Sequence, residues 1–369
     1  MIPRSIYRRT VFATALFAAF CAPHFPGTAS ATDRERPRAE SPSATLRLAL
    51  LPAKGLGYTE TLAVEHRKRG IAHAGHGRYD LAIEEYTASL KLDPDQSDTY
   101  FKRGFAFTQR GLYKRAAEDY SEAIRLRPET THSNGQPAGD SNTDLKDPYL
   151  ASIYNNRAFA NYRMGFYDWA IEDVTAATHL QPNFVLAYNN RGVFYATKGE
   201  FGRAVEDYDK AVDLQPRFEP AYSNRGQAQF FLGRFEDAAR DFQQGLSLNP
   251  TDATTQAWLY LALERSGQDG KKGLAQQVPS LDLKRWPGPI LAIFLGQSTP
   301  EQVMEGVKRV EGRERSEKEC EAAFYFGQYY LLRGRLQEAE RLFREALAFG
   351  FSSFIEHIGA KVELQRMGR

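Results

Sequence analysis

Residues 185–218 read VLAYNNRGVFYATKGEFGRAVEDYDKAVDLQPRF, and residues 219–252 read EPAYSNRGQAQFFLGRFEDAARDFQQGLSLNPTD. Laid one under the other, these 34-residue stretches share Arg-Gly at positions 7 and 8, Gly at 15, Ala at 20, an aromatic at 24 and Pro at 32. Positions 4, 8 and 11 line one face of a first helix, and positions 20, 24 and 27 line one face of a second. Gly at 8 and Ala at 20 let the two helices approach closely, and the ring at 24 fills the gap. Gly at 15 turns the chain at the end of the first helix, because it lacks a Cβ. Pro at 32 stops the second.

Working outward, the same ruler fits residues 63–96, 97–130 and 151–184. Prolines 94, 128, 182, 216 and 250 are spaced 34, 54, 34 and 34 residues apart, so the second interval is one frame plus a 20-residue insertion. In the frame at 151–184, Ala158 replaces the first glycine and Val174 replaces the ring. Residues 253–267 keep a first helix only, with Trp258, Tyr260 and Leu263. A further frame spans about 320–353, with Phe351 in the proline's place. Self-similarity at this period predicts helical pairs stacked so that each contacts its neighbours.

These motifs resemble the tetratricopeptide repeat family. The resemblance implies an all-α fold, a right-handed α-solenoid of helical pairs with a C-terminal helical extension and a capping helix. The expected organisation is a signal peptide at 1–31, a flexible tether at 32–58, two frames within 59–130, a polar insertion loop at 131–150 and three frames at 151–252. A degenerate repeat and helical extension follow at 253–319, then the last frame and a capping helix at 320–369. The capping helix begins near Ser353 and carries Phe354, Ile355, Ile358, Val362 and Leu364. Thr299-Pro300-Glu301 is a helix start, with a hydroxyl cap, proline at the first helical position and an acid in the first turn.

Arginine stands at position 7 in five frames (Arg69, Arg103, Arg157, Arg191, Arg225), and an acid stands at position 23 of the same frames (Glu85, Asp119, Asp173, Asp207, Asp241). In the last frame both become apolar, Phe326 and Leu342. Positions that change together are expected to touch, so these arginines are expected in ion pairs within each repeat rather than on a ligand.

The C-terminal third resembles a narrower family. Trp258-Leu259-Tyr260-Leu261, then Phe294-Leu295-Gly296, then Phe324-Tyr325-Phe326-Gly327 and Phe354-Ile355-Glu356-His357 occur in that order. Together they resemble the bacterial envelope lipoprotein adaptor of the new-lipoprotein-I type. That resemblance implies a periplasmic, often homodimeric adaptor that presents a tail-specific protease to murein hydrolases. The 20-residue insertion departs from that family.

The front of the chain carries an address. Arg4, Arg8 and Arg9 precede an apolar run from Val11 to Ala22, and Ala29-Ser30-Ala31 follows. The run is shorter than the roughly 20 residues a membrane span needs, and the pattern matches an export signal cleaved after Ala31. Tyr7-Arg8-Arg9-Thr10-Val11-Phe12 keeps a twin-arginine route open beside the general one. A lipid anchor at Cys21 is the alternative to cleavage after Ala31, with Phe20 standing where a small residue is wanted. The expected location is the periplasm or the envelope, with no transmembrane segment in the mature chain.

The chemistry expected is binding. Of the 369 residues, 48 are Lys or Arg and 46 Asp or Glu, a formal charge of +2, which gives no electrostatic case for nucleic acid. The two cysteines, Cys21 and Cys320, form no CxxC pair. Gly-rich phosphate loops and a nucleophile elbow are lacking. His66 and His73 occupy core positions 4 and 11 and are expected to pack rather than to bind metal. Glu356 opens a helix, where the dipole favours an acid. No cofactor, metal or catalytic residue is expected.

What remains is the surface of the first helices, whose positions 2, 6, 9 and 13 face the groove in tetratricopeptide arrays. Position 6 reads Lys68, Lys102, Asn156, Asn190 and Asn224, with Asn155 and Asn189 beside it at position 5. An amide both donates and accepts, so it can pair with the backbone of an extended segment of any sequence. Polar residues of a solvated or second-layer kind are the plain alternative. The expected function is therefore a non-enzymatic adaptor binding proteins or extended peptide segments in envelope or cell-wall turnover. The alternatives are an assembly factor for a pilus or secretion machine, and a hydrolase with its site in residues 268–319.

Overall fold

A computed structural model of the chain describes residues 56–127, 147–277 and 281–369. The expected signal, Cys21, nearly all of the tether and residues 131–146 of the insertion lie outside the described residues. Every regular element among the described residues is a helix. The chain divides into two compact units after Leu180.

The first unit holds three helical pairs. They are α1 (Leu56–Gly75) with α2 (Tyr79–Leu92), α3 (Ser97–Gln109) with α4 (Tyr113–Arg125), and α5 (Pro148–Arg163) with α6 (Tyr167–Leu180). The second unit opens with α7 (Val185–Thr197) on α8 (Phe201–Leu214), α9 (Glu219–Phe231) on α10 (Phe235–Leu248), and α11 (Ala253–Arg265). Within each unit a first helix packs on its own second helix, and that second helix packs on the next first helix.

The small residues sit where the ruler places them, and the reason is steric. A Cβ built on Gly192 would lie 2.5 Å from Cε1 of Tyr208, and one on Gly226 would lie 2.6 Å from Cε1 of Phe242. The same meeting recurs at Gly70 with Tyr86, Gly104 with Tyr120 and Gly327 with Phe343. Ala82, Ala116, Ala170, Ala204, Ala238 and Ala339 are all fully buried opposite. The glycine at position 15 has a positive φ in every frame, as at Gly199 (82°) and Gly233 (80°), a conformation that favours glycine.

After α11 the chain leaves the ruler through α12 (Gly270–Gln277), α13 (Gly288–Leu295) and α14 (Pro300–Lys308). Thr299 caps α14 in a reciprocal box with Gln302. The stack then resumes with α15 (Gly312–Leu331), α16 (Leu336–Ala348) and α17 (Ile355–Arg366). Fully buried Trp258 of α11 joins the two stretches, its ring 5.4 Å from that of Phe324 and 5.3 Å from that of Phe230. Tyr260 stacks on Phe294 of α13 at 4.3 Å.

One boundary differs from the ruler. The first helix of the last frame begins at Gly312 rather than near residue 320, and spans 20 residues where α7 spans 13. The added turns are held by ion pairs one turn apart, Arg313–Glu317, Glu314–Lys318 and Arg315–Glu319.

Candidate functional site

The arginines at position 7 are engaged inside the repeats. Arg225 meets Asp241 with both prongs, Nε to Oδ2 at 2.7 Å and Nη2 to Oδ1 at 2.6 Å. Arg103–Asp119, Arg157–Asp173 and Arg191–Asp207 repeat this fork. The third nitrogen reaches back to the preceding second helix: Arg103 to Thr87 Oγ1 (3.1 Å), Arg157 to Ser121 Oγ (3.0 Å) and Arg225 to Asp209 Oδ1 (2.6 Å). Arg103, Arg157 and Arg225 thus each tie their own repeat and staple the one before. Arg69 makes a single bond to Glu85, and His66 Nδ1 meets the same carboxylate at 2.7 Å. Among the described residues no group of three His, Cys, Asp or Glu is arranged to hold a metal ion.

Position 6 is left as the polar face of the first helices. In the first unit, α1, α3 and α5 lie side by side. Lys68 is exposed, whereas Lys102 is half-buried and pairs with Asp98 at 2.9 Å. Asp98 also accepts from the Tyr149 hydroxyl at 3.0 Å, so the basic end expected from two lysines is partly neutralised. Asn156 is half-buried, and its Nδ2 donates to the Ser152 carbonyl one turn back at 2.7 Å. Asn155 is buried at 7% exposure.

In the second unit the asparagines sit deeper. Asn190 and Asn224 keep 7% and 5% exposure, and Asn189 keeps none. Asn224 Nδ2 donates to Asn189 Oδ1 at 3.0 Å, which joins α9 to α7. Nδ2 of Asn189 is buried without a partner. Asn189, and Asn155 by its burial, therefore belong to the packing beneath the surface rather than to an open groove. Position 5 turns inward because a helix advances 100° per residue, so the neighbour of a groove position faces the adjoining helix.

Three family models match this chain over four segments. They are all described as tetratricopeptide repeats and cover residues 67–129, 185–218, 220–252 and 325–350. These segments are tetratricopeptide repeats. The pair at 151–184 lies outside those matches and has the same helices, the same position-15 glycine and the same Arg157–Asp173 fork. Among solved structures the chain is similar to a MamA protein at 26% identity, with 54% of this chain and 96% of that one covered and a TM-score of 0.43. It is also similar to PilW, a type IV pilus biogenesis factor, at 18% identity over 59% and 94% of the two chains, with a TM-score of 0.48. A third is the Pseudomonas aeruginosa pilF protein, at 14% identity over 61% and 95%, with a TM-score of 0.46. Tetratricopeptide repeats form a protein-interaction scaffold, and no helix among the described residues is long and apolar enough to cross a membrane.

Two features of the second unit were not visible in the sequence. Glu356 stands in the first turn of α17, as the sequence places it, but its burial has no signal in the sequence. It is buried at the side of α15, with Tyr325 Oη 3.5 Å from its Oε1, and burial together with the nearby charge of Glu321 pushes its carboxyl up to about 8. Glu321 in turn accepts from the indole Nε1 of Trp286. The other feature is a second anchor, built by Arg265, Glu363 and Arg366. Glu363 is 1% exposed and accepts from Arg265 Nη1 at 3.1 Å and from Arg366 Nη1 at 2.5 Å. The only sequence signal for it was the apolar spacing of α17, which says that the helix is covered and not by what.

Proposed function

We propose that the protein is a non-enzymatic scaffold that holds extended segments of partner proteins against its first helices. The observation that carries this reading is the contrast between positions 6 and 7. Arg103 and Arg157 at position 7 are consumed in forks inside the fold, while Lys68, Lys102 and Asn156 stand exposed or half-buried on neighbouring helices of the first unit. A face with amide and ammonium groups suits a segment that offers its backbone and an occasional carboxylate. Each hydrogen bond to it contributes about 0.5–1.5 kcal/mol, rising to roughly 3 where a charge takes part. We place this scaffold in the bacterial envelope, where it brings murein hydrolases and a protease together. The support for the address is the basic, apolar and Ala29-Ser30-Ala31 order of the first 31 residues. The support for the partners is the order of motifs in the C-terminal third. A homodimer belongs to the same reading.

The test is photo-crosslinking in cells that make the full chain. A benzophenone at position 68, 102 or 156 is expected to capture the same partner, and one at Leu81, exposed on the second helix α2, is not. Lys68→Ala combined with Lys102→Ala should weaken that partner more at low salt than at high salt. Equal capture from position 81, or affinity untouched by the lysine changes, refutes the groove. Capture of pilus or secretion subunits replaces the cell-wall assignment with the assembly role. The intact mass of the protein recovered from the envelope tests the address, with Thr32 expected as the first residue and an acylated Cys21 overturning it.

A further inference from the structure

A helix that only caps a stack covers the last repeat. The helix α17 does more. Seven of its twelve residues are buried: Ile355, Glu356, Ile358, Gly359, Ala360, Glu363 and Leu364. A Cβ built on Gly359 would stand 2.7 Å from Cε2 of Phe324 on α15 and 3.0 Å from Cε1 of Phe231 on α9, so this glycine lets the helix sink between two repeats. At its far end, Arg366 Nη2 donates to the carbonyls of Phe230 (2.7 Å) and Phe231 (2.8 Å). Those are the last carbonyls of α9; the one at Phe230 also accepts from the Gly233 amide just past the helix at 3.0 Å. Glu363 is received by Arg265, whose guanidinium lies over the Phe235 ring at 4.6 Å and also donates to Gln328 Oε1 at 3.3 Å. Phe231 and Arg265 stand at repeat position 13 and Gln328 at position 9, positions that the repeat plan assigns to the groove. A cleft of about 320 Å³ stays open beside the helix, lined by Arg265, Leu331, Leu332, Glu363, Arg366 and Met367.

We propose that α15 and α16, with side chains and carbonyls of α9 and α11 at the rim, form a receptor for an amphipathic helix, held closed in cis by α17 and opened by a partner helix of the same chemistry. That chemistry is a small residue seated between two phenylalanines, a carboxylate one turn further on for Arg265, and an arginine after it for the open end of α9. The fit is specific at three points, Gly359, Glu363 and Arg366, and Ile355, Ile358 and Leu364 supply the apolar contact between them. The six residues Phe349–Phe354 link α17 to α16, with Gly350 at φ 71°, so the helix is tethered by a short turn. This surface is separate from the first-unit groove, and neither reading depends on the other.

The probe is a fluorescent peptide of residues 353–369, titrated against the full chain and against Glu363→Gln. The variant keeps the shape of α17 and removes the charge that Arg265 and Arg366 grip. We expect the peptide to bind the variant at least tenfold more tightly than the unchanged chain, and a Gly359→Leu peptide to bind neither. In hydrogen exchange, the α17 amides of the unchanged chain should open ahead of those in α15 and α16, and Glu363→Gln should speed α17 alone by about tenfold. Equal or absent peptide binding to the two chains overturns the proposal, as does a Gly359→Leu peptide that binds as well as the native one. Exchange of α17 only together with α15 and α16 makes it a fixed cap and overturns it too.

Discussion

Gly192→Ala adds one carbon to the chain, and the structure says where it goes. The new Cβ would lie 2.5 Å from Cε1 of Tyr208 and 2.9 Å from its Cδ1 and Cζ. Ordinary carbon contacts begin at about 3.5 Å, so the ring must retreat by roughly 1 Å. Tyr208 is fully buried, so its ring retreats only by displacing packed neighbours. Overpacking of this kind costs about 1–3 kcal/mol, while the better helix propensity of alanine returns up to about 1 kcal/mol. The net expectation is a loss of about 1–2 kcal/mol. Tyr208→Val alone empties the site and should cost roughly 2–4 kcal/mol. The two together reproduce the pair that the chain itself uses at the same positions of another frame, Ala158 with Val174, both fully buried. The double variant should therefore cost less than the two single losses added, by about 1–2 kcal/mol. Amide exchange of α7 and α8 reads the local free energy, which suits a stacked protein whose stability is distributed along the chain. A Gly192→Ala loss below about 0.5 kcal/mol, or a double variant that costs the full sum, would refute the close-approach argument.

The remaining expectations rest on the ion pairs and the buried polar groups. Arg225→Ala leaves Asp241 largely buried with its main partner gone and should cost about 2–4 kcal/mol. Arg225→Phe with Asp241→Leu, the combination present at Phe326 and Leu342, should recover most of that loss in thermal melting. Glu356 holds its proton up to about pH 8 in the fold against 4.5 when unfolded. Stability should thus be fullest below pH 4.5 and fall as pH rises toward 8, at no more than about 1.4 kcal/mol per pH unit from this group. Glu356→Gln should flatten that part of the pH profile of urea unfolding. Asn224→Ala removes the bond to fully buried Asn189 and should cost about 1–3 kcal/mol. Asn156→Ala, at a half-buried site, should lower the melting temperature less.

The repeats were legible because their cause is local. A glycine at position 8 and a ring at position 24 lie 16 residues apart and meet within one helical pair, as Gly226 and Phe242 do. Arg225 and Asp241 share that spacing, and the loss of both at Phe326 and Leu342 was enough to infer their contact. The groove residues were legible as positions and not as environments. Lys102 and Asn190 share a repeat position, yet one is half-buried against Asp98 and the other keeps 7% exposure. Burial at that position depends on the helix placed beside it, and a single frame does not specify that neighbour.

The C-terminal third marks where local inference stops. Arg366 donates to a carbonyl 136 residues earlier, and Arg265 bonds Glu363 across 98 residues. Between them the chain departs from the ruler through α12, α13 and α14, so no count of residues transmits the register from α11 to α15. The register is set by packing instead, with Trp258 against Phe324 and Tyr260 against Phe294. Periodicity in α17 established that one face is buried. Whether that face meets one repeat or several depends on where α15 comes to rest. The consequence is physical as well as predictive. Contacts fixed by neighbours in sequence form with little loop entropy to overcome, whereas those of α17 close long loops. A competing helix would have to replace the contacts of Glu363 and Arg366 as well as the buried face of α17.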